Sequence, residues 1–143
     1  MAKVLTYSCA IMGRATYEFG YRFGLKPGEN PYPHLKTIIF SQSINLPEQC
    51  EVEQVPAEPA QYINKLRQNE IKPIYLCGGG EFAGALLSMG LIDRLRLKRA
   101  PVILGKGTKL FANNASSPIL SCVETKPFDN GYIFQEFAIQ KPG

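Results

Sequence analysis

The chain has 143 residues, is 45% hydrophobic and 20% charged, and carries a net charge of +4 with a pI near 8.9. This is the composition of one globular domain long enough to bury a core. No stretch approaches the roughly 18 consecutive apolar residues of a transmembrane helix, and the N-terminal region lacks a secretory layout, because Met12 and Arg14 interrupt it. The expectation is a cytoplasmic protein with no membrane partner. The mild positive excess is scattered and suits an anionic small molecule as well as nucleic acid. Cys9, Cys50, Cys77 and Cys122 form no CxxC, and His34 is the single histidine, so no metal site is expected. The cysteines read as reduced thiols, mostly buried.

Residues 8–12 of the β-forming run VLTYSCAIM read as a buried strand ending at Gly13. Residues 15–23 place aromatics at helical spacing. LKPGENPYPHL is a Pro/Gly loop, in which His34 is a loop residue. KTIIFS (36–41) is a second strand and EVEQV (51–55) a third. Residues 56–70 form a helix through Ala60, Ile63 and Leu66. PIYLC (73–77) is a fourth strand, EFAGALLSMG (81–90) a helix closed by Gly90, and 92–104 a fifth strand. Two further strands flank Asp129-Asn130-Gly131, a hairpin signal. Early β/α alternation predicts a mainly parallel α/β sheet flanked by helices, with antiparallel strands added by the C-terminal hairpin. The whole chain, 1–143, reads as a single domain.

Three junctions carry candidate chemistry. Gly78, Gly80 and Ala83 fit G-x-G-x-x-A between a strand and a helix, where bare backbone and helix N–H groups face an anion. A merely tight turn satisfies the same pattern. The acidic residue that a Rossmann fingerprint wants about 20 positions on is missing, so phosphate binding survives and the Rossmann fold does not. GKGTK (105–109) fails the P-loop test, because position 100 is Ala100 and Lys106 is followed by Gly107. IMGRATYEFG (11–20) places Arg14 and Thr16 at a second strand–glycine–helix junction, a second anion site at the same carboxyl edge. Arg94, Arg96 and Lys98 alternate on one strand face, which reads as solvated and not as a nucleic-acid stripe.

The segments IMGRATY, IFSQS, IYLCGGGEFA and MGLIDRLRLKRAPVILGKGTKLF resemble the dihydrofolate-reductase-like superfamily. The last two are similar to the reductase domain of the riboflavin-biosynthesis deaminase-reductase. The resemblance runs from about residue 8 to the C-terminus. It implies NADPH-dependent hydride transfer to a small pyrimidine ribityl- or pterin-like substrate, and a homodimer. It implies that Gly13, Arg14 and Thr16 meet the cofactor phosphates and that Ser41, Gln42 and Ser43 meet the adenosine side and 2′-phosphate. Gly78, Gly79, Gly80, Glu81 and Phe82 would hold the pyrophosphate and nicotinamide portion. No residue is assigned as general acid: Glu18 is expected to face solvent, and Glu81 to sit in a first helical turn. A non-catalytic nucleotide-binding or dimerising member of the family is the alternative. The superfamily carries an N-terminal strand between those corresponding to 73–77 and 93–100, and this chain begins about ten residues before Met12. The expectation is therefore a chain short at its N-terminus. It would be truncated, or have its sheet closed over the gap, or have the gap filled by a partner chain.

Overall fold

A computed structural model describes residues 7–56, 58–69, 72–77, 79–107, 109–112 and 117–140. Its centre is β1 (Cys9–Gly13), paired in parallel with β2 (Lys36–Phe40) on one side and β4 (Ile74–Leu76) on the other. β3 (Glu53–Val55) adds to β2, giving the all-parallel order β3-β2-β1-β4. Both faces of a parallel sheet are covered, so its strands read as continuous apolar runs. Cys-Ala-Ile-Met does so, and all four residues are buried.

Alternation along the strands sorts the core into two clusters. Cys9, Ile11, Ile38, Phe40 and Val55 point to one face with Ile63 and Leu86, which come from α2 (Pro59–Asn69) and α3 (Gly80–Ser88). Met12 and Ile39 point to the other face, where Tyr17 of α1 (Arg14–Phe19), Ile44 and Val52 cover them. Tyr17 also ties down the Pro/Gly loop: its hydroxyl donates to the Glu29 carbonyl at 2.7 Å and accepts from the buried Gly28 N–H at 2.9 Å.

The remaining strands form a separate antiparallel sheet, in the order β5 (Arg94–Arg99), β7 (Ile133–Ile139), β6 (Leu120–Pro127). The predicted hairpin is present, closed by the Gly131 N–H to Phe128 carbonyl bond. The element order is as predicted, but the strands fall into two sheets and not one, and the sheet is not closed between β4 and β5. The predicted 15–23 helix stops at Phe19 and continues as a 3₁₀ turn, because Leu25 folds back to bond the Gly20 carbonyl. The predicted 92–104 strand stops at Arg99, since Pro101 has no N–H to continue a ladder. All four thiols are free, yet only Cys9 is buried; Cys77 is half-buried, and Cys50 and Cys122 are exposed. Those two exposed thiols fall on a surface loop and on β6, an exposed strand.

Among the described residues every buried apolar side chain lies between Cys9 and Leu87. The antiparallel sheet contributes one buried residue, Glu136, and β6 is exposed along its whole length. Stability therefore concentrates in the parallel half. Tyr17→Phe strands the Gly28 N–H and Glu29 carbonyl without their shared partner. It should lower unfolding stability by about 1–3 kcal/mol in a urea titration. An unchanged midpoint would show that the hydroxyl does not hold the loop.

Candidate functional site

β2, β1 and β4 run parallel side by side, so their carboxyl ends open at one edge, the usual ligand edge of such a sheet. Ser41–Ser43 follow β2, Gly13–Thr16 lie at the β1–α1 junction, and Gly79–Phe82 open α3. Gly78 lies outside the described residues. The β1 and β4 junctions pack on each other. A Cβ on Gly79 would strike Thr16 Oγ1, and one on Gly13 would sit 3.3 Å from Phe82 Cβ. Phe82 in turn stacks on Phe40, centroids 5.6 Å apart.

Gly79 has φ +89°, a conformation that disfavours any side chain, and as the α3 N-cap it offers no side-chain cap. The first-turn N–H groups of this nine-residue helix are thus left without an N-cap acceptor. Glu81 is exposed in that first turn, as expected. The segment after the second glycine cluster lies over Gly80, where a Cβ would come within 2.7 Å of the Lys109 carbonyl oxygen. Arg14 pairs with Glu18 at 2.7 Å, so Glu18 is half-buried and engaged and does not simply face solvent. The Ser41 hydroxyl is used internally, accepting from the Ser43 and Ile44 N–H groups at 3.2 and 3.1 Å. Gln42 and Ser43 are exposed. Among the described residues no hydrogen bond joins Ser41–Ser43 to either glycine junction.

Beside this edge a groove of about 1090 Å³ separates β4 from β5. Gly79, Gly80 and Lys109 lie at one end of its lining, and Tyr7, Pro73 and Arg94 at the other. Arg94, Arg96 and Lys98 lie on an exposed strand face, as expected, and two of them are also paired. The Arg94 and Arg96 guanidinium groups hold the Glu136 carboxylate at 3.0 and 2.7 Å, and Arg96 also donates to the Tyr7 hydroxyl at 3.1 Å. The pairing follows from the Arg96↔Glu136 register across two strands, which the sequence alone does not fix. Asp93 is bound by Arg67 at 3.0 Å.

Sequence reasoning also missed a tyrosine row along β4. Tyr7 packs on Tyr75, and Tyr75 meets Tyr32 edge-on. The Tyr32 hydroxyl lies 2.9 Å from Cys77 Sγ, directly before the glycine turn. Burial pushes the Tyr32 and Tyr75 phenols above their ordinary value, and for Tyr32 the Cys77 hydrogen bond adds to this.

Two predictions follow from this geometry. A phenol whose pKa is raised by folding stabilises fully below its unfolded pKa near 10, and that contribution is lost as pH rises beyond it. The melting temperature should fall steeply above about pH 10, and Tyr32→Phe should flatten that slope; an equal slope in the variant refutes the assignment. Gly79→Ala combines an unfavourable φ with the Thr16 collision and should cost about 1–3 kcal/mol. Thr16→Ala in the same chain should recover part of the loss, and additivity in the double-mutant cycle would show that the two turns are not in contact.

Comparison with known proteins follows this geometry. Residues 21–134 match the RibD C-terminal domain. An uncharacterised Bacillus subtilis (strain 168) protein, YyaP, is 37% identical over 71 residues; that match spans 50% of this chain and 38% of the relative. A Shewanella sp. PV-4 protein provisionally assigned to riboflavin biosynthesis superposes with a TM-score of 0.78 at 21% identity, over 94% of this chain and 75% of that one. The Thermotoga maritima diaminohydroxyphosphoribosylaminopyrimidine deaminase/5-amino-6-(5-phosphoribosylamino)uracil reductase gives 0.67 at 18% identity, over 94% of this chain and 46% of that one. At such identities these structures speak to the fold, which is the mixed α/β fold of riboflavin-biosynthesis reductases. No helix among the described residues is long and apolar enough to cross a membrane. With the match spanning most of the chain, the chain belongs to the RibD C-terminal domain family.

Proposed function

We propose that the chain is a cytoplasmic NADPH-dependent reductase acting on a small heterocyclic substrate, pyrimidine ribityl- or pterin-like. The observation that carries this reading is the alignment of three strand ends, two with bare glycine backbone, at one sheet edge, beside the groove that Gly79 and Gly80 line. Bound NADPH would supply the hydride, and the protein supplies orientation. The α3 first turn, with no side chain at its N-cap, would hold the pyrophosphate. Arg14 can exchange Glu18 for a phosphate cheaply, since an exposed i,i+4 pair is worth about 0.3–0.5 kcal/mol. Gln42 and Ser43, exposed at the end of β2, suit the adenosine side and 2′-phosphate. The groove would take the substrate, and its excess of basic side chains favours an anionic one. Val102, Ile103 and Leu104 are exposed, as are Leu120 and Val123 of β6. Such apolar surface supports a homodimer.

One observation favours a second reading, a nucleotide-binding or dimerising protein without turnover. Both carboxylates lining the groove, Asp93 and Glu136, are bound to arginines, so neither is poised as a proton donor.

Titration with NADPH should raise the melting temperature saturably, by the equivalent of about 2.7 kcal/mol at a hundredfold excess over Kd. NADH should do less, and Arg14→Ala should narrow the difference between the two. No shift with either cofactor, from a cooperatively melting protein, would leave the glycine turn as only a turn. Saturable binding with no NADPH consumption on adding 5-amino-6-(5-phosphoribosylamino)uracil or an oxidised pterin would select the second reading.

A further inference from the structure

The hairpin turn between β6 and β7 carries Asn130-Gly131, the one Asn-Gly pair in the sequence. Two main-chain bonds close the turn. The Phe128 N–H donates to the Tyr132 carbonyl at 2.9 Å, and the Gly131 N–H donates to the Phe128 carbonyl at 3.1 Å. Gly131 has φ +89°, and a Cβ on it would lie 3.1 Å from Pro101, so the position calls for a bare residue. Asp129, Asn130 and Gly131 are all exposed, and water reaches the turn freely.

The Asn130 side chain is held in place. Its Oδ1 accepts from the Tyr132 N–H at 3.3 Å. That bond spans Gly131, so it folds the side-chain carbonyl back toward the Gly131 peptide nitrogen. It also aims an N–H donor at the oxygen that gains negative charge when this nitrogen attacks the side-chain carbon, as an oxyanion hole does. Gly131 has no side chain to shield the nitrogen. Two ammonium groups flank the turn, Lys98 over the Tyr132 ring at 4.9 Å and Lys126 over the Phe128 ring at 5.8 Å. Both favour negative charge there, against the one carboxylate of Asp129.

We propose that Asn130 is a self-modification site, at which the turn converts its own side-chain amide to a carboxylate. The Gly131 nitrogen loses its proton to solvent and bonds to Asn130 Cγ. The Cγ–Nδ2 bond breaks, and Nδ2 takes a proton from solvent and leaves as ammonia. Water then opens the resulting cyclic imide. Opening at Cγ gives aspartate; opening at the main-chain carbonyl gives isoaspartate, whose main chain runs through the former side chain. Nothing is oxidised or reduced, and water is the only co-reactant. Isoaspartate adds a methylene to a turn already packed against Pro101, so the β6–β7 ladder loosens from this end. The inference goes beyond the reductase reading and does not depend on it.

The test is peptide mass spectrometry on the full chain, held without cofactor in heavy-oxygen water at mildly alkaline pH. The peptide holding Asn130 should exchange its amide for an acid carrying one solvent oxygen and split into aspartate and isoaspartate forms. Asn45 and Asn64 are also exposed but precede leucine and lysine, and they should keep their amides over the same period. Asn130→Gln, which cannot close the same ring, should stay unmodified. The amides of β6 and β7 should exchange faster in the modified chain than in this variant; equal exchange overturns the loosening of the ladder. The proposal fails if Asn130 keeps its amide as long as Asn45 and Asn64 do. It also fails if the folded chain reacts more than about tenfold slower than the same chain in urea, because the Phe128–Gly131 bond would then block the attack that the turn is argued to orient.

Discussion

The fold depends on β1. Its main chain is bonded on both sides, to β2 and β4, and its side chains enter both core clusters. Because β1 is flanked by parallel neighbours, its carboxyl end lies level with theirs. That alignment brings Gly13, Thr16, Gly79 and Phe82 into contact although 66 residues separate Gly13 from Gly79. The candidate site is a consequence of this register.

Glycine at the two junctions has a dual meaning. Gly79 is demanded by its φ and by Thr16, which is the tight-turn reading; the same bare backbone is what a pyrophosphate requires. These readings do not compete, because a turn packed this closely also fixes the first-turn N–H groups in space. Preorganised donors lose less on binding than mobile ones.

Most elements were legible in the sequence because local signals and tertiary context agree. Cys-Ala-Ile-Met and Lys-Thr-Ile-Ile-Phe are apolar on both faces and sit in a sheet covered on both faces. The glycine junctions were legible for the same reason. What was not legible depends on pairing between distant residues. Arg94 and Arg96 are solvated as the pattern predicts, but their shared partner shows only when β7 brings Glu136 beside them. Tyr32 looks like a loop aromatic until it meets Cys77. The division into two sheets was hidden because periodicity identifies strands and not their neighbours.

Among the described residues the buried apolar core is confined to residues 9–87, which makes the molecule unequal in strength. Opening free energies follow buried apolar contact, so the antiparallel sheet is the first unit to come apart. Its cohesion rests on β-ladder bonds and the Glu136 ion pairs. Cellular proteases cleave open forms, and their abundance follows the opening equilibrium. The lifetime of this chain in a cell is therefore set by the opening of its antiparallel half.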